Sequence, residues 1–120
     1  MVVRRLKTYT SENGNVYEYY FVGSRAALPK DPFHPATEFI FDVTSGAAPT
    51  FAISIFLREQ AIVAWQSNHG RTLVEPERYA AAKIKLFHAF DESEKLRETG
   101  RRLVIEGEEL QDLLSGLGVN

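Results

Sequence analysis

Three groupings of side chains in this chain have types and spacing that could do chemistry. The first is Ser67-Asn68-His69-Gly70-Arg71, which puts an imidazole, an amide and a guanidinium on one short connection, with Glu75 and Glu77 close behind. In such a setting His69 could transfer a proton while Arg71 clamps an anion. The same residues also fit an ordinary helix end, where His69, one turn beyond Trp65, caps the last carbonyls and Arg71 pairs with a carboxylate.

The second is Lys83. At about 100° per residue, Tyr79, Ala80, Ile84, Leu86, Phe87 and Phe90 cover a wide apolar arc, and Lys83 falls inside it. A lysine desolvated there would have a depressed pKa and could serve as a base or amine nucleophile. The structural alternative is a stem packed on Tyr79 and Phe87, with the ammonium reaching solvent or a sheet carboxylate such as Glu38 or Asp42.

The third grouping is Arg5, Lys7, Tyr9 and Tyr20, a basic and aromatic set of the kind on which single-stranded nucleic acid can stack. Glu18 falls within it, and the chain as a whole carries 14 basic against 16 acidic residues, so no net positive field supports phosphate binding. A solvated sheet face explains the set as well, and nucleic acid ranks last among the partners expected.

Other chemistry is excluded by residue type. With no cysteine there are no disulfides, thiolate metal sites or cysteine nucleophiles. No phosphate-binding glycine loop, zinc-peptidase helix, serine nucleophile elbow or calcium loop occurs. His34, His69 and His88 have no local metal-site spacing, and neither a metal nor a cofactor is expected.

Positioning these residues falls to two halves of different character. Ten of the fourteen aromatic residues precede position 60, in short alternating runs, whereas alanine, leucine and paired charges dominate afterwards. Strands first and helices second is the resulting expectation. Residues 2–10 and 15–22 flank Asn13-Gly14, a hairpin signal. A two-residue turn there sets Leu6, Thr8 and Thr10 against Phe21, Tyr19 and Tyr17, and leaves Lys7 and Tyr9 beside Tyr20 on the other face. Residues 37–44 and 50–57 form a second pair, with Phe39, Phe41 and Val43 alternating against Phe51, Ile53, Ile55 and Leu57. Between the pairs, Pro29, Pro32 and Pro35 dictate an extended loop pinned by Phe33.

Helices are expected near 60–69, ended by Gly70, near 76–91, opened by a Thr72/Glu75 capping box, and near 108–117, with Leu110, Leu113, Leu114 and Leu117 in one stripe. Residues 91–98 read as a surface link, and 101–106 as a fifth strand.

The fold class is therefore α+β, an antiparallel sheet of four to five strands against two to three C-terminal helices, in one domain over residues 1–120. Length supports this, because a chain of 120 residues buries roughly two-thirds of its unfolded surface. No apolar run follows the basic N-terminal residues and none elsewhere could span a membrane, which makes cytoplasm the expected compartment. If helices cover one sheet face only, Ile40, Phe56 and Tyr20 stay exposed on the other. Such a patch favours a non-catalytic interaction module that self-associates as a homodimer. The alternative is a small-molecule-binding protein or enzyme with a pocket between sheet and helices, using His69, Arg71 and Lys83.

Overall fold

The computed structural model describes residues 5–46 and 48–120. Among them, strands β1 (Lys7–Thr10), β2 (Val16–Ala26), β3 (Ala36–Ser45) and β4 (Phe51–Arg58) precede helices α1 (Glu59–His69), α2 (Glu75–Glu92) and the single turn α3 (Leu96–Thr99). Strand β5 (Arg102–Ile105) and helix α4 (Glu109–Ser115) follow. The sheet runs β1-β2-β3-β4-β5, and its first four strands form an antiparallel meander. Strand β5 lies parallel to β4, because the helices between them carry the chain back to the same end. The architecture is thus the expected α+β arrangement. No helix among the described residues is long and apolar enough to cross a membrane.

Alternation of side chains decides the centre of the sheet. Phe39 pairs with Ile55, Phe41 with Ile53 and Val43 with Phe51, and all six are buried under the helices. Helix α1 adds Ala61, Ile62 and Trp65 and stops at Gly70, whose φ of 65° frees its N–H to reach the Gln66 carbonyl. Helix α2 buries Ala81, Ala82, Leu86, Ala89 and Phe90, and α4 buries Leu110, Leu113 and Leu114.

Five expectations are corrected. The first hairpin turns through three residues: Ser11 N–H donates to the Asn15 carbonyl at 2.8 Å, Gly14 N–H to the Ser11 carbonyl at 2.9 Å, and Gly14 takes a φ of 88°. Strand β1 consequently pairs Lys7 with Tyr19 and Tyr9 with Tyr17, one residue away from the register of a two-residue turn. A one-residue slip moves every side chain to the other face, so Lys7 and Tyr9 point to the helix side while Tyr20 stays on the far side. Residues 2–4 of the expected first strand lie outside the described residues.

Helix α2 begins two residues later than a Thr72 cap would set it, with Val74 as the cap residue and the Glu77 carboxylate accepting the Val74 N–H at 3.1 Å. In the stretch expected to be an irregular link, Leu96 is buried and anchors the turn α3. Leu117 is 45% exposed because α4 ends at Ser115, before the fourth leucine of the stripe can face the core.

The sheet face away from the helices is partly roofed. Phe33 of the proline loop packs on Phe56 with ring centroids 5.1 Å apart and the rings tilted by 51°, Arg102 lies over both rings, and Asp31 pairs with Arg102. Phe56 is therefore 1% exposed, and its expected place in an open patch is corrected.

Candidate functional site

The one-residue slip in the hairpin builds the most unusual cluster of the molecule. Tyr9, now on the helix side, stacks on Phe87 at 4.3 Å, and Tyr19 meets the same ring edge-on at 5.6 Å. Phe90 stacks on Tyr17 at 4.2 Å, and Tyr79 meets Phe21 at 4.9 Å. Helix α2 therefore runs antiparallel to β2, its residues 79, 87 and 90 lying over 21, 19 and 17.

The Tyr9 hydroxyl donates to Asp91, 2.8 Å from Oδ2 and 3.0 Å from Oδ1, and the Glu12 N–H donates to the same carboxylate at 3.0 Å. Burial, and then the Asp91 carboxylate, push the phenol up to about 12. Tyr9 is thus a structural clasp between β1 and the end of α2. The basic and aromatic platform is split: Arg5 is exposed ahead of β1, Lys7 and Tyr9 face the helices, and Tyr20 lies on the far side with its hydroxyl 2.7 Å from Asp42. No sheet face carries all four for a nucleic acid to stack upon.

Lys83 lies on α2 one turn before Phe87, its Nζ 5.8 Å from that ring's centroid. Lys7 lies two residues before Tyr9 on the same face of β1, and because Tyr9 stacks on Phe87 this brings the Lys7 ammonium to the same edge of α2. Burial and the like charge of Lys7 hold the Lys83 ammonium below its ordinary range. Glu38 and Asp42, the carboxylates offered from sequence as its partners, lie on the opposite face of the sheet, where they bond to Arg25 and Ser54, and to Tyr20. Their place follows from strand parity, since residues 38, 40 and 42 alternate with the buried Phe39, Phe41 and Val43.

His69 and Arg71 sit at the far end of the helical layer, in the contacts of a helix end. The His69 ring stacks on Trp65 at 4.0 Å, and its Nδ1 lies 2.8 Å from the Trp65 carbonyl oxygen, a cap of the last turn of α1. Arg71 holds Glu77 through two bonds of 2.9 and 2.8 Å, donates to the Thr72 and Asn120 carbonyls, and lies 4.7 Å above the Trp65 ring. The Arg71 bonds, and then the Val74 N–H, draw the Glu77 carboxyl down to about 2. The structure thus brings His69 and Arg71 together but leaves Lys83 beside Lys7.

Sequence reasoning missed a cleft of about 260 Å³ beside α2, where His88 and Glu92 stand near the ion-paired Lys85 and Glu109. The spacing 85, 88, 92 on one helix face is legible, but the arrival of Thr99 and Glu109 from α3 and α4 is not. Among the described residues, no three histidine or carboxylate side chains come together as a metal site.

On the helix-free face, Ile40 is half-buried between Gly23 of β2 and Ser54 of β4, its two cross-strand neighbours. The β2 bulge at Val22 sets this pairing. Around it, Glu38 is only 8% exposed, accepting from Arg25 Nε at 2.9 Å and Ser54 Oγ at 2.6 Å. The chain matches no protein-family model, no curated protein and no solved structure, so geometry alone must carry its functional reading.

Proposed function

We propose that this chain is a non-catalytic interaction module that pairs with a second copy of itself through the helix-free face of its sheet. The observation that carries this reading is the surface around Ile40. Its β-branched side chain stands between a glycine and a serine, so it forms a ridge with shallow ground on either side. A two-fold axis through such a surface lets each ridge enter the other copy's depression, which is the self-complementarity an isologous contact needs.

Charge supports the same reading. Two carboxylates near Ile40 are bound by the chain's own donors, Glu38 by Arg25 and Ser54, and Asp42 by Tyr20, while the exposed Glu18 lies farther along β2. Interface centres are poor in uncompensated charge, and pre-bound carboxylates add little further desolvation cost on burial. Ala52 and Ser54 on β4 are short enough for a second sheet to approach at about 10 Å.

The test is sedimentation velocity over a dilution series. The parent protein is expected to sediment as a dimer that dissociates on dilution, and Ile40→Lys as a monomer with an unchanged circular dichroism spectrum. A parent that stays monomeric at high micromolar concentration, or an Ile40→Lys protein that still dimerises, overturns the reading.

A further inference from the structure

Lys7 and Lys83 flank the same aromatic cluster, Lys7 two residues before Tyr9, which stacks on Phe87, and Lys83 one turn before Phe87 with its Nζ 5.8 Å from that ring. Among the described residues neither is in an ion pair. Like charges at close range oppose folding unless something compensates them. Of the carboxylates on the same helix, Glu75 lies 3.7 Å from Arg78 at the neighbouring groove, Glu77 holds Arg71, Asp91 accepts from Tyr9, and Glu92 lines the cleft near His88. The hydroxyls of Tyr19, across the ladder from Lys7, and of Tyr79, one turn before Lys83, have no hydrogen-bond partner among the described residues. Four donors therefore border one stretch of the seam between α2 and the first hairpin, and none of them is bonded to a carboxylate among the described residues.

Next along the seam is a largely apolar groove of about 350 Å³ lined by Phe21, Phe39, Tyr79 and Pro76, with Ser24 and the Glu75 carboxylate also in its wall. The step from groove to lysines is short on both walls. From Phe21 to Tyr19 is two strand residues, about 6.6 Å, and from Tyr79 to Lys83 is about one helical turn, roughly 6 Å.

We propose that this seam is a binding site for a small organic carboxylate with an apolar body, the body lying in the Phe21/Tyr79 groove and the carboxylate between Lys7 and Lys83. Charge selects the head group, since a carboxylate compensates the two ammoniums and accepts hydrogen bonds from both. Aromatic walls with few polar atoms select the body, as in most small-molecule sites.

Titration of the full chain with octanoate at pH 7, followed by amide chemical shifts, tests the proposal. Shifts are expected at Lys7, Phe21, Tyr79 and Lys83. 1-Octanol, with the body and no charge, and acetate, with the charge and no body, should each bind about tenfold more weakly or worse. Lys83→Met and Lys7→Met should each weaken octanoate about tenfold, and Lys83→Arg should retain most of the affinity. Because the two methionine variants lie on different elements, one remains informative if the other folds poorly. Equal binding of octanol and octanoate, unchanged affinity in both methionine variants, or shifts confined to the cleft near His88 would each overturn it. The groove lies on the helix side, so Ile40→Lys is expected to bind octanoate like the parent protein, which keeps this result separate from the pairing of sheet faces.

Discussion

Two cations rest on aromatic rings at opposite ends of the same helical layer, and their surroundings differ in one respect. Arg71 lies 4.7 Å above Trp65 with Glu77 bound through two hydrogen bonds, whereas Lys83 lies 5.8 Å from Phe87 with another lysine as its charged neighbour. A cation over a ring is common to both and so says little about role. What separates them is the counter-charge. At Arg71 the chain supplies its own anion and the corner is complete. At Lys83 the aromatic packing of Tyr9, Tyr19 and Phe87 surrounds the stem, and no carboxylate among the described residues pairs with the ammonium.

If rings rather than ion pairs hold the Lys83 flank, removing the shared ring should have the largest effect. Phe87→Ala is expected to cost about 3 kcal/mol in denaturant unfolding, through lost burial and two lost ring contacts. A loss below about 1 kcal/mol would mean that the flank is held by something else.

Opposite signs are expected next. Lys83→Met should raise the thermal midpoint by roughly 1–2 °C, a small gain because the site is partly solvated, whereas Arg71→Met should lower it. The sign at Lys83 follows from its pKa, which lies below the ordinary 10.5 in the folded state. The folded chain then binds fewer protons than the unfolded one, so the penalty is full at neutral pH and fades as pH rises towards 10.5. The advantage of Lys83→Met should narrow over that range in parallel thermal melts. A midpoint that falls in Lys83→Met would place that lysine with Arg71 as a stabilising residue.

The smallest effect concerns Glu77. Its folded pKa of about 2 lies below the ordinary 4.5, so its contribution is complete above 4.5 and is lost as pH falls through 2. Glu77→Gln should unfold earlier than the parent at pH 7, and the two midpoints should converge between pH 4.5 and 2. A difference independent of pH would assign the effect to the helix cap and not to the charge of the Arg71 pair.

Most of the fold is legible before any coordinates. Phe39, Phe41 and Val43 alternate against Phe51, Ile53 and Ile55 strongly enough that only one register buries both sets, and Ala61, Ile62 and Trp65 recur at helical spacing above them. The first hairpin is less determined, because Tyr9, Tyr17, Tyr19 and Tyr20 are amphipathic and tolerate either face. There the type of turn decides, and Asn13-Gly14 is compatible with a loop of two residues or of three. Choosing three turned Lys7 and Tyr9 to the helix side of the sheet and separated them from Tyr20.

Sequence by itself thus determined the α+β order, the buried centre of the sheet and the structural use of Phe33, because each follows from local periodicity or from a residue with few conformational options. Only the tertiary structure decided that Phe56 is covered, that Ile40 stands between Gly23 and Ser54, and that Lys7 meets Lys83. Each of these joins residues from different elements, and their meeting depends on a turn, a bulge and a helix direction that no local pattern encodes.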